Sequence, residues 1–158
     1  MQRRKRTNQP QETKVGPTPE TARKLTFDPL LALYHAGTIT GTHLHCAEEI
    51  ATAFMLLTLP VSMRLSNPGR EGTSDPVGRM DQWAEALEKR WKLIARYNGW
   101  RKTMRRAKVS FGIAEAVIMD RRSCREVSRS FRVRNGAVGI VVHQALDIYA
   151  KEAGYSHG

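Results

Sequence analysis

The sequence predicts an all-α protein, a helical bundle, from two observations. Apolar residues recur at spacings of three and four along most of the chain after residue 28, and no segment shows the sustained alternation of a half-buried strand. Residues that cap helices, such as Asp28 and Ser123, stand just before these periodic stretches. The length of 158 residues suits one domain with short tails.

The charge narrows the classes of partner. The chain has 26 Lys and Arg against 15 Asp and Glu, a net charge of +11. The excess lies in residues 1–24, with a net charge of +5, and in residues 101–134, with a net charge of +8. Such blocks favour a polyanion, either nucleic acid or an anionic membrane. The best apolar run, Ile50 to Met63, is shorter than the ~20 residues of a membrane span, and the basic tail has no amphipathic helix, so nucleic acid is favoured over a membrane.

Three regions follow from the composition. Residues 1–25 are polar, contain three prolines and are predicted to be a disordered basic arm. Residues 26–100 are predicted to form a helical domain of two short helices, a loop and a long amphipathic helix. Residues 101–158 are predicted to form a DNA-binding region. The N-terminus lacks the apolar segment of a signal peptide, and two cysteines cannot supply a disulfide framework, so a reducing cytoplasm is expected.

The helices of the first region have clear signals. Asp28 and Pro29 begin a short helix that Gly37 ends, and Thr40 or Thr42 caps the second. Residues 66–78 are predicted to be a surface loop, and Asn98-Gly99 to close the long helix. The apolar stripe of the second helix comprises Leu44, Ala47, Ile50, Ala51, Phe54 and Leu57. That of the long helix comprises Val77, Met80, Trp83, Ala84, Leu87, Trp91, Ile94 and Ala95, with Trp83 and Trp91 expected in the core.

The basic stretch from Trp100 to Lys108 is predicted to be helical or irregular. Ser110 is a candidate cap for a helix that reaches about Met119. Ser123 and Glu126 have the spacing of a capping box, which opens a short helix from about Cys124 to Phe131. Asn135 is predicted to cap the final helix, which runs to about Lys151.

These two last helices carry the pattern of a helix-turn-helix. Two short helices can cross steeply when a small residue lies at the crossing and an aliphatic residue plugs the turn. The position after Phe131 often holds glycine because its φ tends to be positive; here it is Arg132, which implies strain or another turn. The predicted motif core is Val127, Ser128, Phe131, Val133, Val138 and Val141.

Within this motif the second helix offers side chains suited to a major groove. Arg134 and Asn135 are candidate readers of guanine and adenine. Ala137 and Ile140 are candidates for contact with a thymine methyl group, and Gln144 for a base or a phosphate. The candidate phosphate-binding residues are Arg121, Arg122, Arg125 and Arg132, with Arg105, Arg106 and Lys108 in a second basic set.

Two stretches resemble known families. Arg125-Glu-Val-Ser-Arg-Ser-Phe131 followed by Val133-Arg-Asn-Gly-Ala-Val138 is similar to the C-terminal helix-turn-helix of sigma-factor region 4 and of many bacterial and phage regulators. Asp28 to Ile39, with Ala47 and Phe54, resembles an uncharacterised domain of alphaproteobacterial phages, prophages and gene-transfer-agent activators. The resemblance implies a transcriptional regulator of phage or mobile-element type, with RNA polymerase as a further candidate partner.

Other chemistry is less well supported. His43, His45 and Cys46, with His35 nearby, cannot all face one ion, and no second cluster has zinc spacing, so no metal is expected. The arginines beside Cys124 suggest a lowered thiol pKa, but no base stands at a recognisable spacing. Glu48 and Glu49 are adjacent and expected at the surface. No phosphate-binding loop, catalytic set or cofactor motif is found, so no enzymatic activity is expected.

The sequence therefore predicts a regulator that binds specific double-stranded DNA, in the bacterial cytoplasm and associated with the nucleoid. A DNA-packaging protein of the small-terminase kind is the alternative, although its helix-turn-helix usually lies near the N-terminus. A protein that docks on RNA polymerase without reading DNA is a third possibility. A small basic nuclease is disfavoured because acidic residues and histidines do not cluster. Self-association is left open.

Overall fold

The computed structural model describes residues 27–59 and 76–155, apart from the side chains of residues 76–79 and 135. The predicted arm at 1–25 and most of the predicted loop lie outside these ranges, and residues 76–78 of that loop are already helical. The described residues form α-helices without strands, which confirms the predicted all-α class. The helices are α1 (Pro29–His35), α2 (Gly41–Thr58), α3 (Pro76–Arg106), α4 (Phe111–Ile118), α5 (Cys124–Phe131) and α6 (Asn135–Ala153).

Local capping explains where three of these helices begin. The Asp28 carboxylate accepts a hydrogen bond from the Leu30 amide, and proline fills the first turn of α1. Ser123 and Glu126 form the predicted capping box at α5. Thr40 opens α2 with a second capping box, in which the His43 imidazole takes the place of the usual carboxylate.

The long helix α3 does not end at Asn98-Gly99 as predicted but continues to Arg106. The buried side of α3, which includes Tyr97, continues past the glycine with Trp100 and Met104, so tertiary packing overrides the weak local signal. Gly99 lies against α6, where a Cβ atom would be 3.2 Å from the Glu152 carboxylate. The boundary predicted between residues 100 and 101 thus falls inside one helix, and the two predicted regions share a core.

The three tryptophans have different surroundings. Trp100 is fully buried, Trp83 is half-buried, and Trp91 is 63% exposed, so the expectation that Trp91 belongs to the core is wrong. The predicted apolar stripe of α3 is wider than the part of the helix surface that neighbouring helices cover. Met80, Ala84 and Trp91 lie on the uncovered side of that stripe.

The core forms where α2, α3 and α6 pack against one another, with α4 and α5 against α6 and α1 against α2 and α4. Trp100 lies at its centre and donates its indole N–H to the Ala145 carbonyl oxygen at 2.8 Å. Glu49 joins the same three helices, because it accepts hydrogen bonds from Tyr149 at 3.1 Å, Tyr155 at 2.7 Å and Arg96 at 3.4 Å. The prediction that Glu49 lies at the surface is therefore wrong; it is 16% exposed.

Several helices end with a residue in the left-handed region, which lets the following amide bond back to the last turn. Gly37 and Gly154 serve this purpose after α1 and α6. Lys108, Arg121 and Arg132 have φ values of 56°, 53° and 54° after α3, α4 and α5. Side chains other than glycine pay about 1–2 kcal/mol for this conformation. Within the described ranges, the residues other than glycine in this conformation are these three cations.

Replacing Arg132 by glycine is expected to stabilise the protein by about 0.5–1 kcal/mol. Relief of the left-handed backbone exceeds the extra entropy that glycine brings to the unfolded chain. A melting-temperature increase of about 2 °C by circular dichroism would agree with this value. Arg129→Gly, in the last turn of α5 where the backbone is still helical, is the control and should destabilise by about 0.5–1 kcal/mol. A loss of stability in Arg132→Gly would mean that the left-handed turn is not the source of strain.

Candidate nucleic-acid interface

Helices α5 and α6 are joined by the three residues Arg132, Val133 and Arg134, which form the turn of the predicted helix-turn-helix. The Val133 amide donates to the Ser128 carbonyl oxygen at 3.0 Å, and the Ser128 hydroxyl donates to the Val133 carbonyl oxygen. Arg132 adopts the left-handed conformation usual for glycine, with φ 54° and ψ 39°. Ser128 therefore stabilises the turn through these two hydrogen bonds, in addition to its predicted role as the small residue where the two helices cross.

The motif core residues differ in depth. Val127 and Val138 are fully buried, and Val133 and Val141 pack at the edge of the core. Phe131 is 41% exposed, which corrects the expectation that it points inward. Its ring lies across α4 at Gly112, where an added Cβ atom would be 3.1 Å from it. Gly112 allows this contact because it has no side chain. This glycine is the sequence feature that could have predicted where Phe131 packs.

The outer face of α6 is open at its N-terminal half. Arg134 and Gln144 are exposed, Ile140 is 60% exposed and Ala137 is half-exposed. Ala137, Ile140 and Gln144 follow one another at spacings of three and four, so they share one face, opposite the buried Val142. The structure thus brings these predicted readers together.

The start of α6 differs from the prediction. Arg134, not Asn135, is the N-cap, with φ −64° and ψ 143° and no side-chain cap hydrogen bond. The tight turn leaves Arg134 extended, so Asn135 already takes the first helical position. The Asn135 side chain lies outside the described part of the structure, and its predicted role remains a prediction.

The predicted phosphate-binding residues fall into two groups. Arg125, Arg132, Arg105, Arg106 and Lys108 are exposed and form no ion pair with the described residues. Arg121 instead pairs with Asp28 at 3.3 Å, and Arg122 donates to the Ser130 hydroxyl. The residues of the first group can bind an anion without losing an ion pair. Arg121 and Arg122 would first have to give up their contacts to Asp28 and Ser130.

Helix α1 also borders α6, which the sequence did not indicate. Leu33 and Thr38 lie 3.5 Å from the position of a Cβ atom on Gly139. A Cβ atom at residue 139 would be in ordinary van der Waals contact with these two side chains, so α6 and the segment from α1 to Thr38 lie close together here. Leu31 and Tyr34 of α1 remain exposed.

The histidine and cysteine cluster of α2 is separated in space. His43 is buried beside α6, His45 contacts the Tyr155 hydroxyl at 3.3 Å, and Cys46 is in the core. Burial, together with the charge of Glu49, raises the pKa of Cys46 to about 11. Burial also raises the pKa of Cys124, which corrects the expectation of a lowered value. Both environments disfavour the nucleophilic thiolate.

A different set of potential metal ligands meets between α2 and α6. Nitrogen atoms of His43 and His143 lie 3.0 and 3.3 Å from the Asp147 carboxylate, and the ligand atoms of the three residues are within 4.8 Å of one another. However, His43 Nδ1 accepts the Thr40 amide at 3.2 Å. The neutral ring then carries its proton on Nε2, directed at Asp147, where a metal would need a lone pair. The arrangement fits a hydrogen-bonded link between helices better than a metal centre.

The described residues therefore define an all-α protein whose α5 and α6 are joined in a helix-turn-helix arrangement. No protein-family model, curated protein or solved structure matches this chain. Within the described ranges, each helix is too short or too polar to serve as a membrane span.

Proposed function

We propose that this protein is a transcriptional regulator that binds specific double-stranded DNA and reads the major groove with the N-terminal half of α6. The observation that carries the proposal is the exposed face formed by Ala137, Ile140 and Gln144 on a helix whose other side is buried. A reading helix needs this combination, because its position must be rigid while its readers stay free. No catalytic role is part of the proposal.

The chemistry of the face suits base edges. Arg134, exposed at the start of α6, has the fork geometry for guanine O6 and N7. Ala137 and Ile140 offer methyl groups to thymine, and Gln144 can pair with adenine or reach a phosphate. Asn135 remains a candidate reader of adenine from its place in the sequence. Arg125 and Arg132 would bind the phosphates beside the groove, with Arg121 and Arg122 in a lesser role.

The wider setting rests on the resemblance of the sequence to sigma-factor region 4 and to phage regulators. It supports a bacterial regulator of phage or mobile-element type, located at the nucleoid, with RNA polymerase as a candidate partner. Self-association would be expected if the bound DNA site proves palindromic.

The test begins with selection of bound sequences from a random duplex library by the full chain. The selected duplex should bind at least about 1,000-fold more tightly than a scrambled duplex at physiological salt. Arg134→Ala and Gln144→Ala should each relax the preference at one base position, at a cost of about 1–3 kcal/mol. Lys151→Ala, at an exposed residue in the last turn of α6 and outside the N-terminal half that carries the reading face, is a control for loss of charge.

Other outcomes point to the alternatives. Equal affinity for the selected and scrambled duplexes would contradict the proposal. Elution as a large ring would instead favour a DNA-packaging protein of the small-terminase kind. Co-purification with RNA polymerase that persists when Arg134 and Asn135 are both alanine, without DNA binding, would favour a docking protein.

A further inference from the structure

A basic cavity lies where α3 ends and α4 begins. It has a volume of about 300 Å³ and is lined by Arg101, Arg105, Lys108, Val109 and Phe111. Its cationic side chains come from the last two turns of α3 and the following corner, and its apolar ones from that corner and the start of α4. The lining of the cavity therefore combines three cationic side chains with two apolar ones.

The three cations line one cavity, and none of them forms an ion pair with the described residues. The Arg101 guanidinium lies 5.2 Å from the centre of the Phe111 ring and 5.8 Å from that of Tyr97, which orients it. Arg105 and Lys108 are exposed and form no ion pair with the described residues. Arg101 and Arg105 stand one turn apart, an arrangement of like charges that is unfavourable on an isolated helix. An anion in the cavity would relieve this repulsion.

The cavity adjoins the helix-turn-helix. Phe111 forms part of its lining, and the next residue, Gly112, packs against the ring of Phe131. Phe131 in turn immediately precedes the turn that leads to α6. The cavity is thus connected to the helix-turn-helix through the contact between Gly112 and Phe131.

We propose that this cavity is a phosphate-binding site that receives a backbone phosphate of the DNA duplex bound by α6. The proposal rests on the proposed function and extends the interface from the motif to the end of α3. Arg105 and Lys108 supply charge for the phosphate, and Arg101 supplies a fixed fork of N–H donors. Val109 and Phe111 offer apolar contact to the adjoining sugar. Duplex DNA is the favoured source of the phosphate because the cavity lining continues at Gly112 into the contact with Phe131, at the end of the first helix of the proposed DNA-binding motif.

The experiment compares two double variants that remove the same charge. Arg105→Gln with Lys108→Gly removes two cations from the cavity; glycine is chosen because φ at Lys108 is 56°. Lys102→Gln with Lys151→Gln is the matched control: it removes the same charge from two exposed residues that do not line the cavity and that form no ion pair with the described residues. The affinity of each for the selected and the scrambled duplex is measured over a series of salt concentrations.

The cavity variant is expected to reduce the magnitude of the slope of log affinity against log salt by about 1, as for the loss of one phosphate contact, with the preferred sequence unchanged. The control should lower it by less than half as much. Equal changes in slope for the two variants would overturn the cavity proposal. If the double cavity variant loses the circular dichroism signal of its helices, the single variant Lys108→Gly replaces it in the comparison with the control. The magnitude of its slope is expected to fall by up to about 1.

The test separates this proposal from the function it rests on. If the parent protein shows no preference between duplexes, the proposed function fails, yet a slope change specific to the cavity variant on scrambled DNA still supports the phosphate site. A sequence preference that persists with no difference in slope between variants overturns the cavity alone. Tight binding of a free mononucleotide, lost in the cavity variant without any change in the DNA slope, would assign the cavity to a small ligand and overturn its role on DNA.

Discussion

Replacing Trp100 by alanine is expected to lower the free energy of unfolding by about 3–5 kcal/mol. The indole is fully buried among Tyr97, Phe111 and Tyr149, with ring centres 5.5 to 6.2 Å away. Its loss leaves a cavity at the junction of α3, α4 and α6 and removes the hydrogen bond to the Ala145 carbonyl oxygen. A domain of this size has about 5–15 kcal/mol in total, so the variant should be marginally folded. Urea unfolding followed by circular dichroism measures the change.

Trp91→Ala is the matched control, because it makes the same substitution in the same helix at a side chain that is 63% exposed. Its effect should stay within about 0.5 kcal/mol. Trp100→Phe should fall between the two, since it keeps an aromatic ring and loses the N–H donor. Comparable losses for Trp91→Ala and Trp100→Ala would contradict the placement of Trp100 at the centre of the core.

Ile140→Glu is expected to weaken binding to the selected duplex by at least about 100-fold with little change in stability. The side chain is 60% exposed at the middle of the reading face of α6, so the fold does not depend on it. The substitution removes an apolar base contact and places a carboxylate among base acceptors and phosphates; a direct base contact alone is worth about 1–3 kcal/mol. Affinity is measured by titration with the selected duplex, and stability by thermal unfolding.

Met55→Glu controls for the added charge, because Met55 is 59% exposed on α2, outside the helix-turn-helix. It should leave the affinity within about twofold of the parent, since surface charges beyond a Debye length of ~8 Å are largely screened. Retention of parental affinity by Ile140→Glu would mean that another surface reads the DNA. A large loss in both variants would indicate that net charge, rather than position, governs binding.

Features with local causes could be read from the sequence. The bounds of α5, with its capping box of Ser123 and Glu126, and the beginning of α1 at Asp28-Pro29 agree with the prediction. These depend on hydrogen bonds between residues two to four positions apart, which composition and spacing reveal. The shared face of Ala137, Ile140 and Gln144 also follows from helical periodicity.

Features that depend on distant partners could not be read in this way. Trp91 and Trp100 both fit an apolar stripe of α3, yet only the arc that meets α2, α4 and α6 is buried. Glu49 is adjacent to the exposed Glu48 in sequence but is covered by tyrosines of α6 and the C-terminal turn. The length of α3 beyond Gly99 likewise depends on its contact with α6.

The sequence by itself determined the all-α class, the capped helices and the net charge, because each is a property of residues near one another in the chain. Only the tertiary structure decided which face of α3 is buried, which arginines are already paired and that Arg101, Arg105 and Lys108 surround one cavity. Burial and charge pairing depend on the packing of elements far apart in sequence, and a periodic pattern specifies a face without specifying what covers it.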